Sequence, residues 1–170
     1  MKEKSHHHTH GFPPVIHPTS EVLILGSFPS VKSRKDAFYY MHPRNRFWKI
    51  LSEVFDDDDF ESPSPDHKKM ALKRHRLALY DAIEACAIEG SKDASITHEK
   101  PTDVKALIEG TKINRIVLNG QKAATIFKRH NPDLIPMSVT FPSTSPANAA
   151  YRFEDLLAHW ESLKTHNPDQ

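Results

Sequence analysis

The sequence holds one cysteine, Cys86, in 170 residues. It can form no intrachain disulfide, which fits a reducing compartment, and it cannot supply the ligand sets of cysteine zinc or iron–sulfur centres. Glycine is scarce too, with five in the chain. Neither G-x-G-x-x-G nor a P-loop occurs, which speaks against dinucleotide and nucleoside triphosphate binding. No apolar run approaches the ~20 residues of a membrane span. The opening MKEKSHHHTHGFPP lacks the apolar centre of a secretory signal, so export is not expected and a cytoplasmic location is. The HHH at 6–8 reads as part of a flexible tail over residues 1–11 rather than as a metal site. No metal and no cofactor are expected.

The chain also lacks an excess of one charge: the formal net charge is +1. What it has instead is segregation. Lys32, Arg34, Lys35, Arg44 and Arg46 cluster beside a single Asp, residues 56–59 are DDDD, and residues 68–76 are KKMALKRHR. The pattern fits a basic face with the acids elsewhere, and equally a set of ordinary solvated charges. Apolar residues make up 38%, enough for one core, so a single domain over 12–165 is expected.

Apolar runs ending in a polar residue or Gly alternate with helical patterns. EVLILGS, LALYDAI, INRIVLNG and the segment within PMSVTF read as strands. NRFWKILSEVF, HKKMALKRHR, TDVKALIEG, QKAATIFKRH and RFEDLLAHWESL read as helices, with Asn45 standing where an N-cap for 46–55 belongs. DDDDFESPSPD reads as an exposed loop, and residues 84–101 as a long functional loop or surface excursion. The alternation predicts a three-layer α/β/α domain with a four-stranded parallel sheet. In such sheets ligands sit at the carboxyl ends of the strands, which selects loops 26–45, 81–100, 119–121 and 141–148.

The first of these loops interleaves two kinds of chemistry. Ser27, Ser30, Ser33, Lys32 and Arg34 suit phosphates, whereas Phe28, Phe38, Tyr39 and Tyr40 offer faces to a flipped or unpaired base. At least two of these aromatics are expected simply to pack the loop onto the sheet. Loop 141–148, FPSTSPAN, repeats the Phe-Pro-Ser theme with three hydroxyls between prolines. Its backbone could hold a phosphate or merely turn.

LILGSFPSVKSRKDAFYYMHPRNRFWKIL closely resembles the first motif region of the hypoxanthine-DNA glycosylases, a branch of the uracil-DNA glycosylase superfamily. ALYDAIEACAIEGSKDASI resembles that branch's second segment and FPSTSPANA its last, so the likeness spans roughly residues 12–160. The resemblance implies the same α/β/α fold and a monofunctional enzyme that hydrolyses the N-glycosidic bond of deoxyinosine. Its partner would be DNA containing deaminated bases, with no obligate protein partner, no membrane and a monomeric state. A broader uracil or xanthine range, or a module that binds nucleic acid without cutting it, are the competing readings.

Most branches place Asp or Asn two residues after the first motif's Gly, and several start the last motif with His or Asn. Phe28 and Phe141 hold those places here, which matches the hypoxanthine branch. That branch's catalytic residue falls on Asn45. An amide is no general base, so its expected role is to hold and orient water; the alternative is the helix cap, and one Asn does both only if its oxygen is shared. Asp81 falls where relatives read the base edge. It could accept the N1–H of hypoxanthine while a backbone N–H serves O6, or it could be a cap or ion pair of the following loop. Phe28 would stack on the base and Ser27 would join the base pocket. Ser30, Lys32, Arg34, Arg44, Arg46, Ser143, Thr144, Ser145 and Asn148 would contact DNA, with 145–148 as a wedge. His42 sits beside the site as a further candidate for a direct role.

Overall fold

The structure is a computed structural model that describes residues 6–9, 11–29, 31–88 and 97–164. The chain runs β1 (His6–Thr9), β2 (Val22–Gly26), α1 (Val31–Asp36), α2 (Phe47–Phe55), α3 (Pro65–Arg74), β3 (Leu77–Asp81), β4 (Ile83–Ile88), β5 (Thr97–Pro101), α4 (Val104–Ile108), β6 (Arg115–Asn119), α5 (Gln121–His130), β7 (Ser138–Phe141) and α6 (Phe153–Trp160). The four strands expected from the apolar runs form one parallel sheet in the order β3-β2-β6-β7. Every residue of β2 and β3 is buried. That is why these strands read as unbroken apolar runs rather than as alternating ones: helices cover both faces. The domain is α/β, with helices flanking the sheet.

The helices are held by the residues that their periodicity marks. Phe47 of α2 meets Trp160 of α6 edge to face at 5.9 Å, and Trp160 in turn meets Phe141 at the end of β7 at 5.1 Å. Asp103 caps α4 by accepting from the Ala106 N–H at 3.1 Å. No helix among the described residues is long and apolar enough to cross a membrane.

Three sequence expectations are corrected. Residues 84–101 are not simply a loop: β4 pairs antiparallel with both β1 and β5 in a second sheet of order β1-β4-β5. The alternating small and polar residues of this segment gave no apolar run, and its pairing depends on a partner strand distant in sequence. The same pairing places His6–Thr9 in a strand, so the expected 1–11 tail is not flexible throughout. The acidic run is not merely an exposed loop either. It carries a 3-10 turn over Asp58–Glu61 that buries Phe60 completely.

That turn also explains the charge pattern. Asp57 pairs with Arg74 and, at 2.9 Å, with His75 at the end of α3. Burial opposes ionisation of Asp57, but bonds from His75, the Asp59 N–H and Arg74 together hold its carboxyl below the usual range. Lys68 is itself buried, donating to the Ser62 carbonyl under the Trp48 ring. Of the 68–76 basic run, Lys68 is therefore buried and Arg74 and His75 are paired with Asp57, while Lys69, Lys73, Arg74 and Arg76 are exposed.

Candidate active site

A cleft of about 640 Å³ opens at the carboxyl ends of the parallel strands. Its lining draws on all four loops selected from the sequence, including Phe28 after β2, Asp81 at the end of β3, Asn119 at the end of β6 and Ser143 after β7. Tyr40 and Asn45, from the long connection between β2 and α2, complete it.

The floor is built around Gly26. A methyl group there would lie 2.5 Å from Asp81 Oδ1 and 2.9 Å from Tyr40 Oη. Only the absence of a side chain lets a carboxylate and a phenol approach the strand end together. Asp81 is 4% exposed, and its own carbonyl accepts from Thr102 Oγ1 at 2.7 Å. Tyr40 stands in the left-handed region, at φ 55°, with its ring stacked on Phe47 at 4.0 Å. Its hydroxyl is buried, with no partner in hydrogen-bond geometry among the described residues. Burial, and then the Asp81 charge, push the phenol far above its ordinary value against a smaller opposing influence of the Asn119 amide. The hydroxyl thus keeps its proton and remains a donor beside an acceptor.

Asn45 is fixed from behind. Its Oδ1 accepts from the Phe47 N–H at 3.0 Å and from Thr144 Oγ1 at 2.8 Å. The first bond supports the start of α2, although the N-cap position itself falls on Arg46. Thr144 Oγ1 accepts from Asn119 Nδ2 at 3.1 Å, and Asn119 Oδ1 accepts from the Thr144 N–H at 3.1 Å. Three loop ends are thereby joined by side-chain hydrogen bonds.

Loop 143–151 is held to α2 by Arg46. Its guanidinium donates to the carbonyls of Thr144, Ser145, Asn148 and Tyr151. Within the loop, Ser143 Oγ accepts from Ser145 N, Ser145 Oγ accepts from Ala147 N, and Asn148 Nδ2 donates to the Ser143 carbonyl. The two tryptophans anchor the flanking loops, Trp48 Nε1 on the Tyr39 carbonyl at 3.0 Å and Trp160 Nε1 on the Pro142 carbonyl at 3.1 Å.

Comparison with known proteins finds the same architecture over nearly the whole chain. The profile of the uracil DNA glycosylase superfamily matches residues 13–164. The chain belongs to this superfamily. A Methanosarcina acetivorans protein named hypoxanthine DNA glycosylase is 32% identical over 160 residues, covering 92% of this chain and 98% of that one. A Methanosarcina barkeri protein of the same name is 35% identical over 114 residues, covering 66% and 72%. A solution NMR structure from Methanosarcina acetivorans, described as a candidate uracil DNA glycosylase, superposes with a TM-score of 0.77 at 32% identity, covering 91% of this chain and 96% of that one.

In this superfamily member two of the residues assigned to DNA contact have other work. Thr144 is fully buried and engaged with Asn45 and Asn119, so it cannot reach a phosphate. Arg46 is occupied by backbone carbonyls. The Thr144 assignment is corrected, since its hydroxyl was read as a phosphate ligand while its partners lie up to about a hundred positions away; half-buried Arg46 has donors turned to those carbonyls, and its phosphate contact is left to the test below. Ser33 is likewise buried, accepting from Met41 N at 2.9 Å. Phe38 and Tyr39 pack in the core, with the Tyr39 hydroxyl on the Pro13 carbonyl at 2.8 Å.

The remaining assigned residues are distributed around the cleft. Ser27 and Ser145 line it, and Arg44 is exposed nearby. Arg34 lies over the Phe28 ring at 5.6 Å, and Phe28 clusters with Ala82, Ile83 and Ile126. Ser30 lies outside the described residues, as does the side chain of Lys32. His42 lines the cleft with Nδ1 accepting from Arg44 N at 3.1 Å, so the neutral ring carries its proton on Nε2. Phe141 faces Trp160 in the core. Two roles were missed: Tyr40 was read only as an aromatic face, not as a hydroxyl donor, and Asn119 was not singled out. The signal for Asn119 was present, as a polar side chain directly before a strand-ending Gly.

Proposed function

We propose that this chain hydrolyses the N-glycosidic bond of deoxyinosine in DNA, releasing hypoxanthine and leaving an abasic site. One observation carries the reading: the Asp81 carboxylate and the Tyr40 hydroxyl converge beside Gly26 as an acceptor next to a donor. Hypoxanthine offers N1–H beside O6, the complementary pair. Adenine offers an unprotonated N1 beside an amino group and meets acceptor with acceptor and donor with donor. The names of the Methanosarcina relatives favour the same base.

The deoxynucleotide would be flipped into the cleft, with Phe28 at its face. Ser27 would join the pocket, while Ser30, Lys32, Arg34, Arg44, Ser143, Ser145 and Asn148 would follow the strand as a monomer bends it. In the reaction the C1′–N9 bond breaks and its electron pair leaves with the purine. A water oxygen bonds to C1′, and the proton that water gives up ends on the base. Asn45 is the residue assigned to this step. Lys122 lines the cleft but is given no Schiff-base role with C1′ in this reading, so strand cleavage is not expected.

Uracil and xanthine also present an N–H beside a carbonyl, so the decisive experiment is base release from oligonucleotides carrying hypoxanthine, uracil or xanthine. Release of hypoxanthine is expected. Strong uracil release with none of hypoxanthine overturns the assignment.

A further inference from the structure

Asn45 is held in one polarity by two backbone amides. Phe47 N–H points at its Oδ1 from one side. From the other comes the Thr144 hydroxyl, whose proton can go only there, because the same oxygen already accepts from Asn119 Nδ2. Asn119 in turn cannot be reversed, since its Oδ1 accepts from the Thr144 N–H. A backbone N–H can only donate. Turning either amide around would set donor against donor, so the polarity follows from the backbone rather than from a choice of amide orientation. Thr144 is fully buried and Asn119 nearly so, which makes such a mismatch costly.

Both lone pairs of Asn45 Oδ1 are therefore occupied, and the group left to face the cleft is the amide –NH2. We infer that Asn45 enters the reaction as a hydrogen-bond donor, and that Thr144 is the positioning residue that imposes this polarity. The inference rests on the assignment of Asn45 to the glycosidic bond cleavage. A donor cannot take the proton of the attacking water. It can meet the negative charge that builds on the departing purine as the C1′–N9 electron pair leaves, at a ring nitrogen or carbonyl lone pair. The water-orienting role expected from the sequence required a lone pair that this network has taken.

The test is single-turnover base release from an inosine-containing duplex, with binding of the same duplex measured alongside. Asn45→Asp separates the two roles. A carboxylate at this position would serve as a general base if an acceptor were needed, and the rate at neutral pH would hold or rise. A donor role predicts instead a loss of roughly 100-fold or more, as for Asn45→Ala. That loss should shrink at acidic pH, relative to the wild-type profile, as the introduced carboxyl regains a proton to donate. His42, Asp81, Tyr39, Tyr40 and Lys122 share the cleft and are unchanged across the series.

Thr144→Val keeps the shape and removes the hydroxyl. Its single-turnover rate should fall about 10- to 100-fold with DNA affinity unchanged, and Thr144→Ser should restore the rate. A wild-type rate in Asn45→Asp at neutral pH overturns the donor role. A wild-type rate in Thr144→Val beside an inactive Asn45→Ala overturns the positioning role, as does a Thr144→Ser variant as slow as the valine. A wild-type rate in Asn45→Ala would instead remove Asn45 from the reaction altogether, a separate failure. If the valine variant does not fold, the serine and aspartate variants still decide.

Discussion

Arg46 and Ser145 stand 99 positions apart, and Nη2 of the first donates to the carbonyl of the second at 2.8 Å. Together with its bonds to Thr144, Asn148 and Tyr151, this makes one guanidinium the fastening between α2 and the last loop of the cleft. Arg46→Ala should therefore destabilise the fold by about 1–3 kcal/mol, because carbonyls of one buried and two half-buried residues lose a charged donor at once. Arg46→Lys should recover little, since an ammonium lacks the planar fork. Denaturant unfolding checks both. A variant with wild-type stability and weakened DNA binding would return Arg46 to the phosphate-contacting group.

Gly26→Ala should remove base release. The new methyl would press on Asp81 Oδ1 and Tyr40 Oη, the two atoms proposed to read the base. Because neither is the end of a long flexible chain, the overlap should also cost about 1–3 kcal/mol of stability. Kinetics on inosine DNA together with a thermal melt measure the two effects. An active, equally stable variant would show that these atoms do not form the floor.

Tyr40→Phe should separate activity from stability. The hydroxyl has no hydrogen-bond partner among the described residues, so its removal should leave stability unchanged or slightly raised. Losing the donor to O6 should reduce kcat/KM on inosine DNA about tenfold. Asp81→Ala should lower the same quantity from the acceptor side, and unchanged cleavage in that variant would take Asp81 out of the pocket.

Alkaline pH should destabilise the protein. Burial, followed by neighbouring negative charge, raises the phenols of Tyr39 and Tyr40, and Tyr80 is pushed up to about 12 by burial, then Glu84 and Asp81. A raised folded-state value means that stability is fully present below the ordinary phenol value and is lost as the pH climbs toward the folded one. For Tyr80 that window runs from 10.0 to about 12. Lys68 and Arg115, whose cations burial holds below their ordinary values, work in the opposite direction, two groups against three. Stability from denaturant curves should thus fall across this window, and a flat or rising profile would contradict it.

The parallel sheet and its helices were legible because their signals are local. Leu23, Ile24, Leu25 and Leu77, Ala78, Leu79 are apolar on both faces, and each run ends at a residue that lines the cleft. The second sheet was not legible, since β4 and β5 lack such runs and find their pairing across the chain. Within the site, the sequence alone determined which residue types reach the strand ends: Phe28 without a polar group, Asp81, Asn45 and the serine-rich last loop. Tertiary structure alone decided how they are used. Thr144 was an apparent phosphate ligand until Asn119 and Asn45 closed around it, and Arg46 was a surface cation until four carbonyls met it. The physical reason is directional: a hydroxyl or an amide has both donor and acceptor roles in the sequence, and only the backbone groups it meets in the fold select between them.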